Sequence, residues 1–84
     1  TADHIFDYIE IDDRHAIFEV EVPTGWVGKS IGELDIRRKF GINILGIKHS
    51  GKTDVSITPD TLLSKETTIL ALGEYKALQK CFRI

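Results

Sequence analysis

The run from Ser30 to Leu45 constrains this chain more than any other stretch. It opens on a capping box in which Ser30 and Glu33, three positions on, can each satisfy a backbone N–H of the other, and this fixes a helix start. Ile31 and Leu34 then share one face, while Gly32 keeps the helix short. Asp35 to Phe40 predicts a second helical turn, and Gly41 predicts its end, because glycine takes the left-handed conformation that closes a helix without steric cost. Ile42, Ile44, Leu45 and Ile47 follow at once as a run apolar on both faces, the pattern of a central strand. A short helix must therefore turn straight into a strand, with Asp35, Arg37, Arg38 and Asn43 gathered where the two meet.

The flanks supply the rest of a fold. Asp3 to Ile11 carries Ile5, Phe6, Ile9 and Ile11 at roughly helical spacing and predicts a short helix that serves as a lead-in. From Ala16 to Val22 the residues alternate, with Phe18, Val20 and Val22 on one face, which predicts a half-buried strand ended by Pro23. Ser50-Gly51-Lys52 predicts a hairpin turn, Val55 and Ile57 a returning strand, and Pro59-Asp60 its end. Thr68 to Leu72 predicts another strand, and Tyr75, Leu78, Cys81 and Phe82 recur at the spacing of a final helix. The order α-β-α-β-β-β-α predicts an α+β class, a small β-sheet sandwich with helices on one side. With 84 residues the chain supports one core and gains from pairing with a second copy.

Several chemistries are excluded by what the chain lacks. A net charge of −2 provides no basic face able to displace many counterions from nucleic acid, so no nucleic-acid partner is expected. Gly28-Lys29-Ser30 invites comparison with a phosphate-binding loop, but Pro23 stands where that motif needs its first glycine, and the match fails. His4, His15 and His49 are scattered without ligand spacing and Cys81 is the single cysteine, so neither a metal cage nor a nucleophilic triad is expected. Cys81 reads as a small core residue and Trp26 as a cover for the sheet.

The Ser30–Leu45 run is different. Arg37 near the end of one element and Asn43 at the start of the next, with Gly41 turning the chain between them, can reach one concavity. A guanidinium fork suits phosphate, ionised Asp35 accepts from an exocyclic amine, and Ile31, Ile36, Ile44 and Leu45 supply apolar walls. That combination fits a small anion carrying a base, and the residues alone do not name it.

From Val27 to Lys48, and again at Thr58-Pro59-Asp60 and Thr68 to Gly73, the sequence closely resembles the C-terminal lobe of bacterial regulator-of-potassium-conductance domains (RCK_C or TrkA_C). The nearest look-alikes are the cytosolic gating subunits of Ktr/Trk-type potassium uptake systems. The resemblance implies a domain over residues 13–84, with 1–12 as the link from an N-terminal nucleotide-binding lobe; the missing initiating Met agrees with a longer protein. A subset of that family binds cyclic di-AMP through two aliphatic residues, then Asp, Arg, Asn and two more aliphatics at fixed spacing. Ile31, Asp35, Arg37, Asn43, Ile44 and Leu45 stand in that register, with Gly32 in place of the second aliphatic. The resemblance implies that Arg37 and the Asn43/Ile44 region hold phosphate and that Asp35 addresses adenine. Ile31, Ile36, Ile44 and Pro59 would line the base pocket. Arg38 occupies a position the family often fills with a small residue. The implied protein is a non-catalytic cytoplasmic homodimer without a cofactor, bound to the inner face of the membrane through a potassium-transport subunit. It takes one cyclic di-AMP on its two-fold axis and thereby inhibits uptake. The alternative is a ligand-free dimerisation module in which the Arg37 cleft is empty or closed by an ion pair with Asp35.

Overall fold

The computed structural model describes residues 4–84. In chain order it contains β1 (Ile5–Glu10), β2 (His15–Glu21), a 3-10 turn at Thr24–Trp26, α1 (Ile31–Leu34), α2 (Ile36–Phe40), β3 (Asn43–His49), β4 (Lys52–Asp54), β5 (Thr68–Glu74) and α3 (Tyr75–Phe82). The strands form one five-stranded sheet in the order β1-β2-β5-β3-β4, with every neighbouring pair antiparallel. The fold is thus α+β, with the helices set on one face of the sheet.

Alternation decides which face that is. Ala16, Phe18 and Val20 on β2 and Ile69 and Ala71 on β5 are buried, and Ile36 of α2, Leu63 and Leu78 of α3 close over them. Ile42, Ile69, Leu78 and Val20 are the largest side chains fully withdrawn from solvent, and such burial contributes roughly 1.5–3 kcal/mol each. Leu78 carries the docking of α3 on the sheet, since it is the buried residue of that helix.

The first element differs from its sequence expectation. The residues spaced as a helix form strand β1, paired to β2 in a register that sets Tyr8 opposite Phe18 and Ile9 opposite Ile17. Ile, Phe and Tyr favour extended backbone, and β2 offers an open edge whose hydrogen bonds outweigh a weak helical period. Asp3, where that expected helix began, lies outside the described residues. The returning strand is also shorter than expected. β4 ends at Asp54, whose carboxylate accepts the Ser56 N–H and turns the chain away, leaving Val55 70% exposed. Asp35 to Phe40 is not a plain continuation of α1, because Asp35 sits in the left-handed region at φ 54° and separates two short helices.

The segment that leaves β4 returns as a strap along α1. Ile31 N–H donates to Thr61 O, Gly32 N–H to Pro59 O, Leu63 N–H to Lys29 O and Gly28 N–H to Leu63 O. Within the strap, the Thr58 N–H donates to Thr61 Oγ1 and the Asp60 N–H to Thr58 Oγ1, which fixes the turn at Pro59. The backbone around Gly28 and Lys29 is thereby occupied by the strap.

Candidate functional site

A cavity of about 300 Å³ opens between the strap and the junction of α2 with β3. Its walls are Ile31, Gly32, Asp35, Ile36 and Arg37 from the two helices and the turn between them, Ile42 just before β3, Asn43 and Ile44 at its start, and Ile57, Thr58 and Pro59 from the strap. The volume lies at the lower end of the roughly 300–1,000 Å³ of small-molecule sites, and the walls combine apolar surface with a few polar groups.

Local sequence accounts for each position. The expected capping box is present: Glu33 N–H donates to Ser30 Oγ and Ser30 N–H to Glu33 Oε1. Asp35 then ends α1, its N–H donating to Ile31 O, and its left-handed backbone re-aims the chain into α2. Aspartate is among the few residues that tolerate this conformation. The re-aimed helix buries Ile36, while Arg37 next to it remains exposed and reaches the cavity. Gly41 closes α2 at φ 72° with its N–H on Arg37 O, so that Asn43 and Ile44 enter the same space from the start of β3.

Asp35 Oδ2 accepts a hydrogen bond from Arg38 Nε, an ion pair across one helical turn. The Arg37 guanidinium has neither a hydrogen-bond nor an ion-pair partner among the described residues. The closed-cleft arrangement considered from sequence, an Asp35–Arg37 pair, is therefore replaced by Asp35–Arg38. A cation is left facing a largely apolar cavity.

Of the nine residues singled out from sequence, Ile31, Asp35, Ile36, Arg37, Asn43, Ile44 and Pro59 line this cavity, and Arg38 and Leu45 do not. Arg38 reaches the cavity's rim only through its bond to Asp35. Leu45 occupies the irregularity in β3 where the register shifts between Ile44 and Gly46, and it is exposed. Ile42, Ile57 and Thr58 line the cavity without having been singled out. Ile57 and Thr58 carried no local signal beyond their nearness to Pro59, since only the strap's long-range hydrogen bonds bring them there. Gly32 also acquires a physical reason. A Cβ on it would stand 3.0 Å from both Pro59 Cβ and Pro59 O, so the strap occupies the place of the missing aliphatic side chain.

Elsewhere, the histidines pair locally: His4 Nδ1 with Glu21 and His15 Nδ1 with Asp12. Trp26 packs on Phe82 with ring centroids 5.3 Å apart, well away from the cavity. Among the described residues no group of His, Cys, Asp and Glu could hold a metal ion, and no helix is long and apolar enough to cross a membrane.

Comparison with known proteins agrees with this architecture. The chain is 29% identical over 73 residues to Ktr system potassium uptake protein C of Bacillus subtilis (strain 168), covering 87% of this chain and 33% of that protein. It spans about a third of the length of the curated Ktr proteins it matches. A solved structure of the RCK C domain of the potassium transport protein KtrA, in complex with cyclic di-AMP, superimposes with a TM-score of 0.75 at 27% identity, over 98% of this chain and 85% of that one. An RCK_C domain dimer of S. agalactiae BusR in complex with cyclic di-AMP superimposes with a TM-score of 0.66 at 28% identity, over 80% of this chain and 95% of that one. BusR has also been solved with promoter DNA, in chains of which this one covers 36%. The family model of the TrkA-C domain matches residues 15–84, and the chain belongs to that family.

Proposed function

We propose that this chain is a cyclic di-AMP sensing lobe that acts as a homodimer, with one ligand held on the two-fold axis between two copies of the cavity. The observation that carries the reading is the unpaired Arg37 guanidinium at a small, mainly apolar cavity whose other polar wall is Asp35 and Asn43. One such cavity is sized for one base and its phosphate. A messenger with two equivalent halves needs two of them, and a two-fold interface supplies each residue twice. In this reading Arg37 and the Asn43/Ile44 backbone region bind phosphate, Asp35 addresses adenine, and Ile31, Ile36, Ile44 and Pro59 line the base. Arg38 holds Asp35, and Leu45 contributes from the interface side.

The lobe is not catalytic and needs no cofactor or metal. Its role is to bias the geometry of a dimer. Ligand shifts that geometry by its difference in affinity between the two arrangements, and the shift passes through an N-terminal nucleotide-binding lobe, to which residues 1–12 lead, onto a membrane potassium-transport subunit. The protein works in the cytoplasm at the inner face of the membrane, and bound ligand inhibits uptake. The resemblance to the Ktr proteins and to the KtrA domain with cyclic di-AMP supports this. DNA contact is not assigned to this domain: the net charge is −2, and the DNA-bound BusR chains extend well beyond the part that this chain matches.

Melting scans with cyclic di-AMP and with AMP test the reading. A ligand that binds only the folded state raises the midpoint with saturation. Cyclic di-AMP should raise it and AMP at equal concentration should do so far less. An unchanged midpoint under saturating cyclic di-AMP would favour the ligand-free dimerisation module.

A further inference from the structure

A second concavity, of about 670 Å³, lies on the other side of α2 from the cavity described above. Its floor is aromatic and aliphatic: Trp26 and Phe82, stacked at a tilt, with Phe40 and Leu34 beside them. Three cations, Lys39, Lys80 and Arg83, stand on its wall, and among the described residues no carboxylate side chain lines it. In a chain of net charge −2 this is a local reversal of sign. Lys39 and Lys80 are exposed and have no ion-pair partner among the described residues.

Structure explains why these groups converge. Lys39 is in the last turn of α2 and Lys80 in the last turn of α3, where cations are favoured by the helix dipole. The two helices pack against each other, so both C-terminal turns flank the 3-10 turn that carries Trp26. The surface therefore offers a tilted aromatic and aliphatic bed beside the exposed ammonium groups of Lys39 and Lys80. Each feature selects a different part of a ligand: the rings favour a planar apolar body, and the ammonium groups favour a carboxylate attached to it.

The geometry points to this concavity as a second binding site, for a small organic anion that carries its carboxylate on an aromatic or aliphatic body. The assignment is independent of what the Arg37 cavity binds. Ile36 lines both spaces, so an occupant here bears on the helix that presents Arg37.

Trp26 is the single tryptophan of the chain, and it reports on this site alone. The test follows Trp26 fluorescence, and its indole N–H resonance by NMR, during titration with 3-phenylpropanoate, the uncharged 3-phenylpropanol and the cationic 3-phenylpropylamine. The expected result is a saturable change with the carboxylate by about 1 mM, at least about tenfold weaker with the alcohol and absent with the amine. The double variant Lys39→Ala/Lys80→Ala, checked for an unchanged melting temperature, should weaken carboxylate binding by about tenfold. The proposal is overturned if the carboxylate gives no saturable change, if carboxylate and alcohol bind alike to the unmodified chain, or if the folded double variant binds as tightly as the unmodified chain.

Discussion

Asp35 is bound by Arg38 rather than by Arg37, and this single pairing determines which arginine can meet a ligand. The Asp35–Arg38 pair is solvent-facing, with 76% of the Arg38 side chain exposed, so it contributes little to stability. Its consequence is the free guanidinium of Arg37 at the cavity. A charge-assisted bond to phosphate contributes roughly 1.5–3 kcal/mol. Arg37→Ala should therefore weaken cyclic di-AMP binding by about tenfold or more in a calorimetric titration, with little change in melting temperature. Arg38→Ala should weaken it less, because it loosens Asp35 without removing a phosphate contact. Equal losses in the two variants would contradict the division of roles.

The strap sets the second prediction. Gly32 N–H donates to Pro59 O at 2.8 Å, and an added Cβ would meet both Pro59 O and Pro59 Cβ at 3.0 Å. Gly32→Ile should push Pro59 outward and destabilise the fold by about 1–3 kcal/mol, the usual cost of overpacking. Chemical denaturation measures that loss. Stability equal to that of the unmodified chain would mean that the strap yields freely.

The docking of α3 depends on Leu78, which is fully buried. Leu78→Ala should cost about 2–5 kcal/mol from lost transfer energy and the cavity left behind. For a domain this small that is a large part of total stability. Urea titration followed by circular dichroism checks it.

Asp12 introduces a pH dependence. Its carboxylate accepts the backbone N–H of Arg14, the largest cause, and also bonds the His15 ring and the His15 N–H, so its pKa is held below the ordinary 3.8. A carboxylate with a lowered folded-state pKa stabilises above its unfolded value, and that contribution fades as pH falls through the folded value. The stability gap between the unmodified chain and Asp12→Ala should shrink as the solution is acidified below the ordinary carboxylate range. A gap that widens with acid would contradict the assignment.

The parts of the fold that could be read from sequence are those fixed by local physics. The Ser30–Glu33 capping box, the stop at Gly41, the alternation of β2 and the spacing of α3 each follow from a few neighbouring residues. What escaped depends on distant partners. Ile5–Glu10 became a strand because β2 presents an edge to it, and Ile57 and Thr58 reached the cavity because Gly32 lets the strap approach. Leu45 was misplaced relative to the cavity for a related reason: a shift in register between β3 and β5 is a property of two strands together. The same holds for Arg38, whose partner is chosen by the left-handed turn at Asp35.

In the proposed function, two copies of the Arg37 cavity share one two-fold messenger. Isothermal titration of the domain with cyclic di-AMP tests this most directly, because it counts ligands per chain. One ligand for every two chains is expected, with the heat abolished or strongly reduced in Arg37→Ala. One ligand per chain, or no heat at all, would contradict it.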